Sequence, residues 1–126
     1  MEKFTTLSSR IREGSPAVLY FFDYDISLQL IQIRLVNHYL TDNIVNFYEI
    51  ECMNVSCLHS QQTHPEPVAH NFINTLEAKE EHNSEHIIIH LQNTVLTIKA
   101  ETISLELLET DDEGIYQDGK PFWLFP

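Results

Sequence analysis

The sequence predicts a mainly β fold of the α+β type: an antiparallel sandwich or a strongly curved sheet carrying one N-terminal helix. Three observations carry this expectation. Apolar residues alternate with polar ones through most of the chain beyond residue 16, the period of a strand. Helical spacing without competition occurs only at the start, in Phe4, Leu7 and Ile11. Clusters of turn-forming residues cut the alternating regions into strand-sized pieces. The 126 residues suit one domain, taken as 1–126, and 43% hydrophobic residues suffice for a core.

The elements follow in order. Residues 2–13 form the helix, which Gly14, Ser15 and Pro16 end. Residues 17–125 are mostly β. Ala17 to Phe22 is a short apolar strand. Alternation resumes at Ile26, Leu28 and Leu30 and changes phase at Ile31, Ile33 and Leu35. A β-bulge near Leu30–Ile31, or a strand buried on both faces, would account for the slip. Residues 37–43 read as a polar turn. Ile44 to Leu58 is a long strand whose Glu49 and Glu51 share a wet face. Ser60 to Pro67 is a loop. Residues 68–81 fit helix or strand, with strand favoured by the following turn at His82–Ser84. His86 to Leu91 is β-branched, and Gln92–Asn93 is a tight turn. Two alternating runs follow, out of phase around Glu101, as one bent strand or two. Asp118–Gly119 is a hairpin dipeptide. The closing Phe122, Trp123, Leu124 and Phe125 either tuck into the core or anchor a surface.

Charge excludes several function classes. Seven Lys+Arg against 19 Asp+Glu give a net charge of −12, which argues against gripping phosphate backbones. Gly14, Gly114 and Gly119 lie too far apart for a phosphate-cradling glycine loop. The longest apolar run, Ala17 to Phe22, is far too short to span a bilayer. Without a signal-type apolar stretch, and with Cys52 and Cys57 placed on opposite strand faces as free, buried thiols, the expected compartment is the cytosol.

The candidate metal and catalytic groupings lack the required spacing. Cys52, Cys57, His59 and His64 do not form a zinc pattern. His82, His86 and His90 are spaced for a helix, but Ile87–Ile89 demand a strand, so surface histidines are expected. Asp23 and Asp25 share a strand face and are a candidate acid–base pair, or simply a wet strand end. Asp111, Asp112, Glu113 and Asp118 miss the EF-hand pattern. No catalytic motif, cofactor or metal is expected.

The acids are unevenly placed. Residues 1–40 are neutral, so residues 41–126 carry the whole −12. Between Lys99 and Lys120 lie seven carboxylates and no cation: Glu101, Glu106, Glu109, Asp111, Asp112, Glu113 and Asp118. Such a run aids solubility, or it steers a basic macromolecule into place. Tyr116 and Trp123 beside it are interface-type side chains. The candidate partner-binding residues are therefore Glu106, Glu109, Asp111, Asp112, Glu113, Tyr116, Asp118 and Trp123.

The run His86-Ile-Ile-Ile-His-Leu-Gln-Asn-Thr-Val-Leu-Thr-Ile-Lys-Ala-Glu-Thr-Ile-Ser-Leu-Glu106, together with the start Phe22-Asp23-Tyr24-Asp25-Ile26, resembles small acidic bacterial immunity proteins of polymorphic toxin and contact-dependent growth inhibition systems. The resemblance covers roughly residues 20–108 in layout. It implies a catalytically inert cytoplasmic protein that binds and blocks one toxin domain, often a basic nuclease. Two other expectations stand beside it: a small enzyme or ligand-binding barrel with Asp or His in a cavity, and a structural subunit that self-associates through apolar strand faces.

Overall fold

The structure is a computed structural model. It describes residues 2–39, 41 and 43–111, with the backbone of 116–117 and 120–121. A 3-10 turn at Glu2–Phe4 leads into helix α1 (Thr5–Arg12). Six strands follow: β1 (Ala17–Asp25), β2 (Leu30–Tyr39), β3 (Ile44–Gln62), β4 (Ile73–Glu81), β5 (Ser84–Leu91) and β6 (Thr94–Asp111). Two-residue strands β7 (Tyr116–Gln117) and β8 (Lys120–Pro121) pair with each other.

The helix ends where glycine permits it. Gly14 adopts φ +98°, and its N–H bonds the Ile11 carbonyl while that of Ser15 bonds the Arg10 carbonyl. This is the Schellman pattern, which satisfies carbonyls that the helix leaves open. The apolar stripe then settles on the sheet: Phe4 and Leu7 are 1% exposed and Ile11 is buried. Ser8 Oγ donates to the Leu76 carbonyl at 2.6 Å, tying α1 to β4.

The strands form one open antiparallel sheet in the order β1-β2-β3-β6-β5-β4. It is a curved sheet, not two packed layers. The main core collects residues from the helix and all six strands, including Ile31, Ile33, Ile50, Cys52, Leu76, Ile87, Ile98 and Ile103, and a second, smaller cluster of Val18, Val36 and Val45 packs with Phe47 and Phe72. The curl brings the outer strands together without closing them. Leu19 N–H reaches the Asn71 carbonyl, and Val18 makes an isolated bridge with Phe72.

The β3–β6 ribbon is the spine. Its Val45–Cys52 half is flanked by β2, and its Cys57–Gln62 half pairs with the stretch of β6 flanked by β5. Between the halves both strands change phase. Cys52 and Val55 face the core on β3, as do Ile103 and Ala100 on β6. Asn54 takes φ 55°, its amide donates to Glu101 Oε2 at 2.8 Å, and the register shifts between Val55 and Cys57. A bulge of this kind bends the ribbon, so apolar residues of both halves reach one core.

Several expectations are corrected. The phase change at Leu30–Ile31 is neither a bulge nor a doubly buried strand. Residues 26–29 form the β1–β2 turn, where Leu28 N–H bonds Asp25 Oδ1, Gln29 has φ 52°, and Ile26 and Leu28 are exposed. Asn37 and His38 do not open a polar turn; they are buried in β2, with the Asn37 amide donating to the Pro16 carbonyl at 3.0 Å. Strand β3 runs through Ser60 to Gln62. Cys57 is exposed, whereas Cys52 is buried; both are free. His86 is a buried histidine, not a surface one. The favoured strand reading of residues 68–81 holds for Ile73–Glu81, strand β4, and the two out-of-phase runs are one long strand, β6. The β4–β5 turn holds His82 at φ 50° and Asn83 at φ 64°, as a type I′ hairpin requires.

Candidate protein-binding face

Residues directly opposite in an antiparallel pair share a sheet face. On the concave side the register lines up Tyr24, Ile31, Cys52 and Ile103, then Phe22, Ile33, Ile50 and Leu105. On the convex side it lines up Phe21, Arg34, Glu49 and Glu106, then Asp23, Gln32, Glu51 and Ser104. Val36, Phe47 and Glu109 form the next convex row, and Val45 and Asp111 one beyond it. The register thus places Asp23, Glu49, Glu51, Glu106, Glu109 and Asp111 on one face of half the sheet.

Arg34 is the one Lys or Arg among the described residues of that half-face. Its Nε bonds Glu49 Oε2 at 3.0 Å, and its guanidinium lies 5.0 Å from the centre of the Phe21 ring. Asp23, Glu51, Glu106 and Glu109 take no part in an ion pair among the described residues. Glu49 and Glu106 oppose each other directly, an arrangement that costs stability unless something cationic answers it. Among the described side chains no lysine pairs with these acids. Lys79 and Lys99 lie opposite His86 on the other half of the sheet, and Lys3 pairs with Glu85.

Aromatic side chains border the carboxylates. The register shift between Leu19 and Phe21 makes Tyr20 the extra residue of a bulge. Tyr20 packs edge-on against Phe47 at 6.4 Å and 79° and is 50% exposed. Partial burial raises the Tyr20 phenol above its ordinary pKa; Arg34 opposes this, and Glu49 and Glu109 add to it. One phenol therefore senses charges carried on three different strands. Leu108, the extra residue at the shift between Phe47 and Tyr48, adds apolar surface at 45% exposure.

Of the residues expected from sequence, Glu106, Glu109 and Asp111 come together on this face. Asp112, Glu113, Asp118 and Trp123 lie outside the described residues, and Tyr116 is described only by its backbone in β7. The terminal Phe122 to Phe125 also lie outside. Glu101 leaves the group: it bonds Asn54 and lines a cleft of about 420 Å³ at the β4–β5 hairpin with Glu80, Glu81, His82 and Glu85. Sequence reading missed Asp23, Glu49, Glu51 and Tyr20 as members of the face. The pairing of Glu49 and Glu51 on one strand side was visible, but not their register against β6.

The other candidate groupings are dispersed. Asp25 accepts a turn bond, Asp23 is exposed, and neither lines the hairpin cleft or the cleft of about 250 Å³ beside α1. Among the described residues no group of three or more His, Cys, Asp or Glu is placed to hold a metal ion. His86 is instead held by Ser84 Oγ at 3.0 Å from Nε2 and lies 3.9 Å from Glu81. Lys79, then hydrogen bonding to it, lowers the Glu81 carboxyl below its usual range. Among the described residues no helix is long and apolar enough to cross a membrane.

No family model and no curated protein matches the chain. A solved structure, the crystal structure of an uncharacterized protein from Neisseria gonorrhoeae, is similar with a TM-score of 0.58 and 19% identity, over 75% of this chain and 93% of that one. At that identity the likeness shows a shared fold.

Proposed function

We propose that this chain is a non-enzymatic binding protein that neutralises a basic partner, and that it acts in the cytoplasm as an immunity protein against a bacterial toxin domain. The carboxylate-rich convex face is the docking surface. The observation that carries the reading is the opposition of Glu49 and Glu106, flanked by Glu51, Glu109 and Asp23, with Arg34 as the one neighbouring Lys or Arg among the described residues. A sheet selected for stability alone gains nothing from such crowding. A cationic partner relieves it on binding and is steered there by the field. Tyr20, Phe21 and Leu108 supply the apolar and aromatic contacts that anchor protein interfaces.

The test is affinity capture at low and high salt, with each bound protein identified and its toxicity assayed with and without this chain. A basic toxin domain, released by salt and silenced in the complex, is the expected result. Neutral or acidic partners held independently of salt would overturn the proposal.

A further inference from the structure

We propose that the outer edge of β6 from Ser104 to Leu107, before the bulge at Leu108, accepts an extended segment of the basic partner as an added strand, one that alternates lysine or arginine with apolar side chains. This rests on the acidic-face reading above and specifies how the partner is held. Strand β6 pairs with β3 along its length, but with β5 only as far as Glu85 opposite Ala100. Past that point its second edge meets no strand among the described residues.

One hydrogen bond fixes the direction of the backbone. Ile103 N–H points away from β3 and donates to Glu85 Oε1 at 3.0 Å. Alternation then turns the N–H and C=O groups of Leu105 and Leu107 to the same outer edge, while Ser104 and Glu106 bond β3. An edge of this kind templates a further strand.

The side chains state what that strand must carry. On the convex side an incoming strand meets Ser104 and Glu106, with Glu109 just past the bulge at Leu108. On the other it meets Leu105 and Leu107, the latter 53% exposed. Basic residues facing Glu106 make favourable cross-strand pairs, and the alternate positions rest on leucine. A second copy of this chain is the wrong occupant, because it would bring its own Glu106 and Glu109 onto the same face. The β3 edge at Cys57–Gln62 carries no carboxylate and no such pattern.

The probe is a synthetic peptide alternating lysine and valine with blocked ends, compared with the same peptide N-methylated at alternate amides. It is titrated into the wild type, Leu107→Pro, Leu107→Lys, and the double variant Glu106→Gln with Glu109→Gln. Proline removes an outer N–H and leaves the bonds to β3, which edge strands tolerate. The wild type should bind the lysine–valine peptide, with the Leu105 and Leu107 amides becoming protected from exchange. The N-methylated peptide should not bind. Leu107→Pro should bind roughly tenfold more weakly. Leu107→Lys, which puts a cation on the apolar side, should show a similar loss and decides the matter if the proline variant does not fold. Failure of the wild type to bind, or full affinity in the folded Leu107 variants, overturns the edge proposal. Normal edge variants with a weakened double Gln variant overturn the added strand but keep the acidic face. Full affinity in the double Gln variant overturns both.

Discussion

Glu106→Gln should stabilise the free protein. Glu106 lies opposite Glu49 and diagonal to Glu51 on the convex face. Two carboxylates roughly 7 Å apart in a water-like dielectric repel by about 0.6 kcal/mol. The diagonal neighbour adds a smaller repulsion, and Arg34, bonded to Glu49 at 3.0 Å, offsets part of both. A net gain of about 0.5 kcal/mol remains, within the range measured for cross-strand pairs. For a domain of this size that is a rise of about 2 °C in melting temperature. Thermal unfolding followed by circular dichroism at low salt and at about 1 M salt reads it out, because the Debye length shrinks to about 3 Å at the higher salt. The gain should largely vanish there. Glu49→Gln is the comparison, since it strips Arg34 of its partner and should give no gain. A lower melting temperature for Glu106→Gln, or an equal gain at both salts, would refute the account of a like-charge face.

Three more outcomes follow from the fold. Leu7→Ala should lower stability by about 3 kcal/mol in urea unfolding, because Leu7 is 1% exposed between α1 and the sheet; a loss below about 1 kcal/mol would mean that the helix is not seated on the core. Asn83→Val should cost about 1–2 kcal/mol, while Asn83→Gly should cost nothing, since φ 64° in the β4–β5 turn penalises a branched side chain; equal effects in chemical denaturation would contradict the type I′ turn. Burial, with Glu51 and Glu85 adding to it, pushes the Cys52 thiol from 9.0 up to about 12. The folded state therefore favours the neutral thiol. Its contribution is whole below about pH 9 and is lost as pH rises towards 12, at most about 4 kcal/mol in all. The decline in urea midpoint above about pH 9 should be shallower in Cys52→Val; an unchanged slope would remove the thiol from the account.

The sequence by itself determined the mainly β class, the N-terminal helix and most strand positions, because these follow from local periodicity. Phe4, Leu7 and Ile11 cannot share a face except on a helix, and Ile87 to Ile89 resist one. It also determined that the negative charge falls after residue 40. Local pattern misled where a turn mimicked alternation, as at Ile26 and Leu28, and where polar residues were buried by distant partners, as with Asn37 beneath Pro16. Only the tertiary structure decided which carboxylates lie together. Glu49 and Glu106 are brought together by the pairing of β3 with β6, and Asp23 joins them through β1 and β2. Register between strands so distant in the chain is set by the shared core and by the bulges at Tyr20, Leu108 and Ser56. A one-residue slip would have turned those acids to the opposite face. The same pairing moved Glu101 away from its sequence neighbours and, among the described residues, left the outer edge of β6 past Ala100 without a strand beside it.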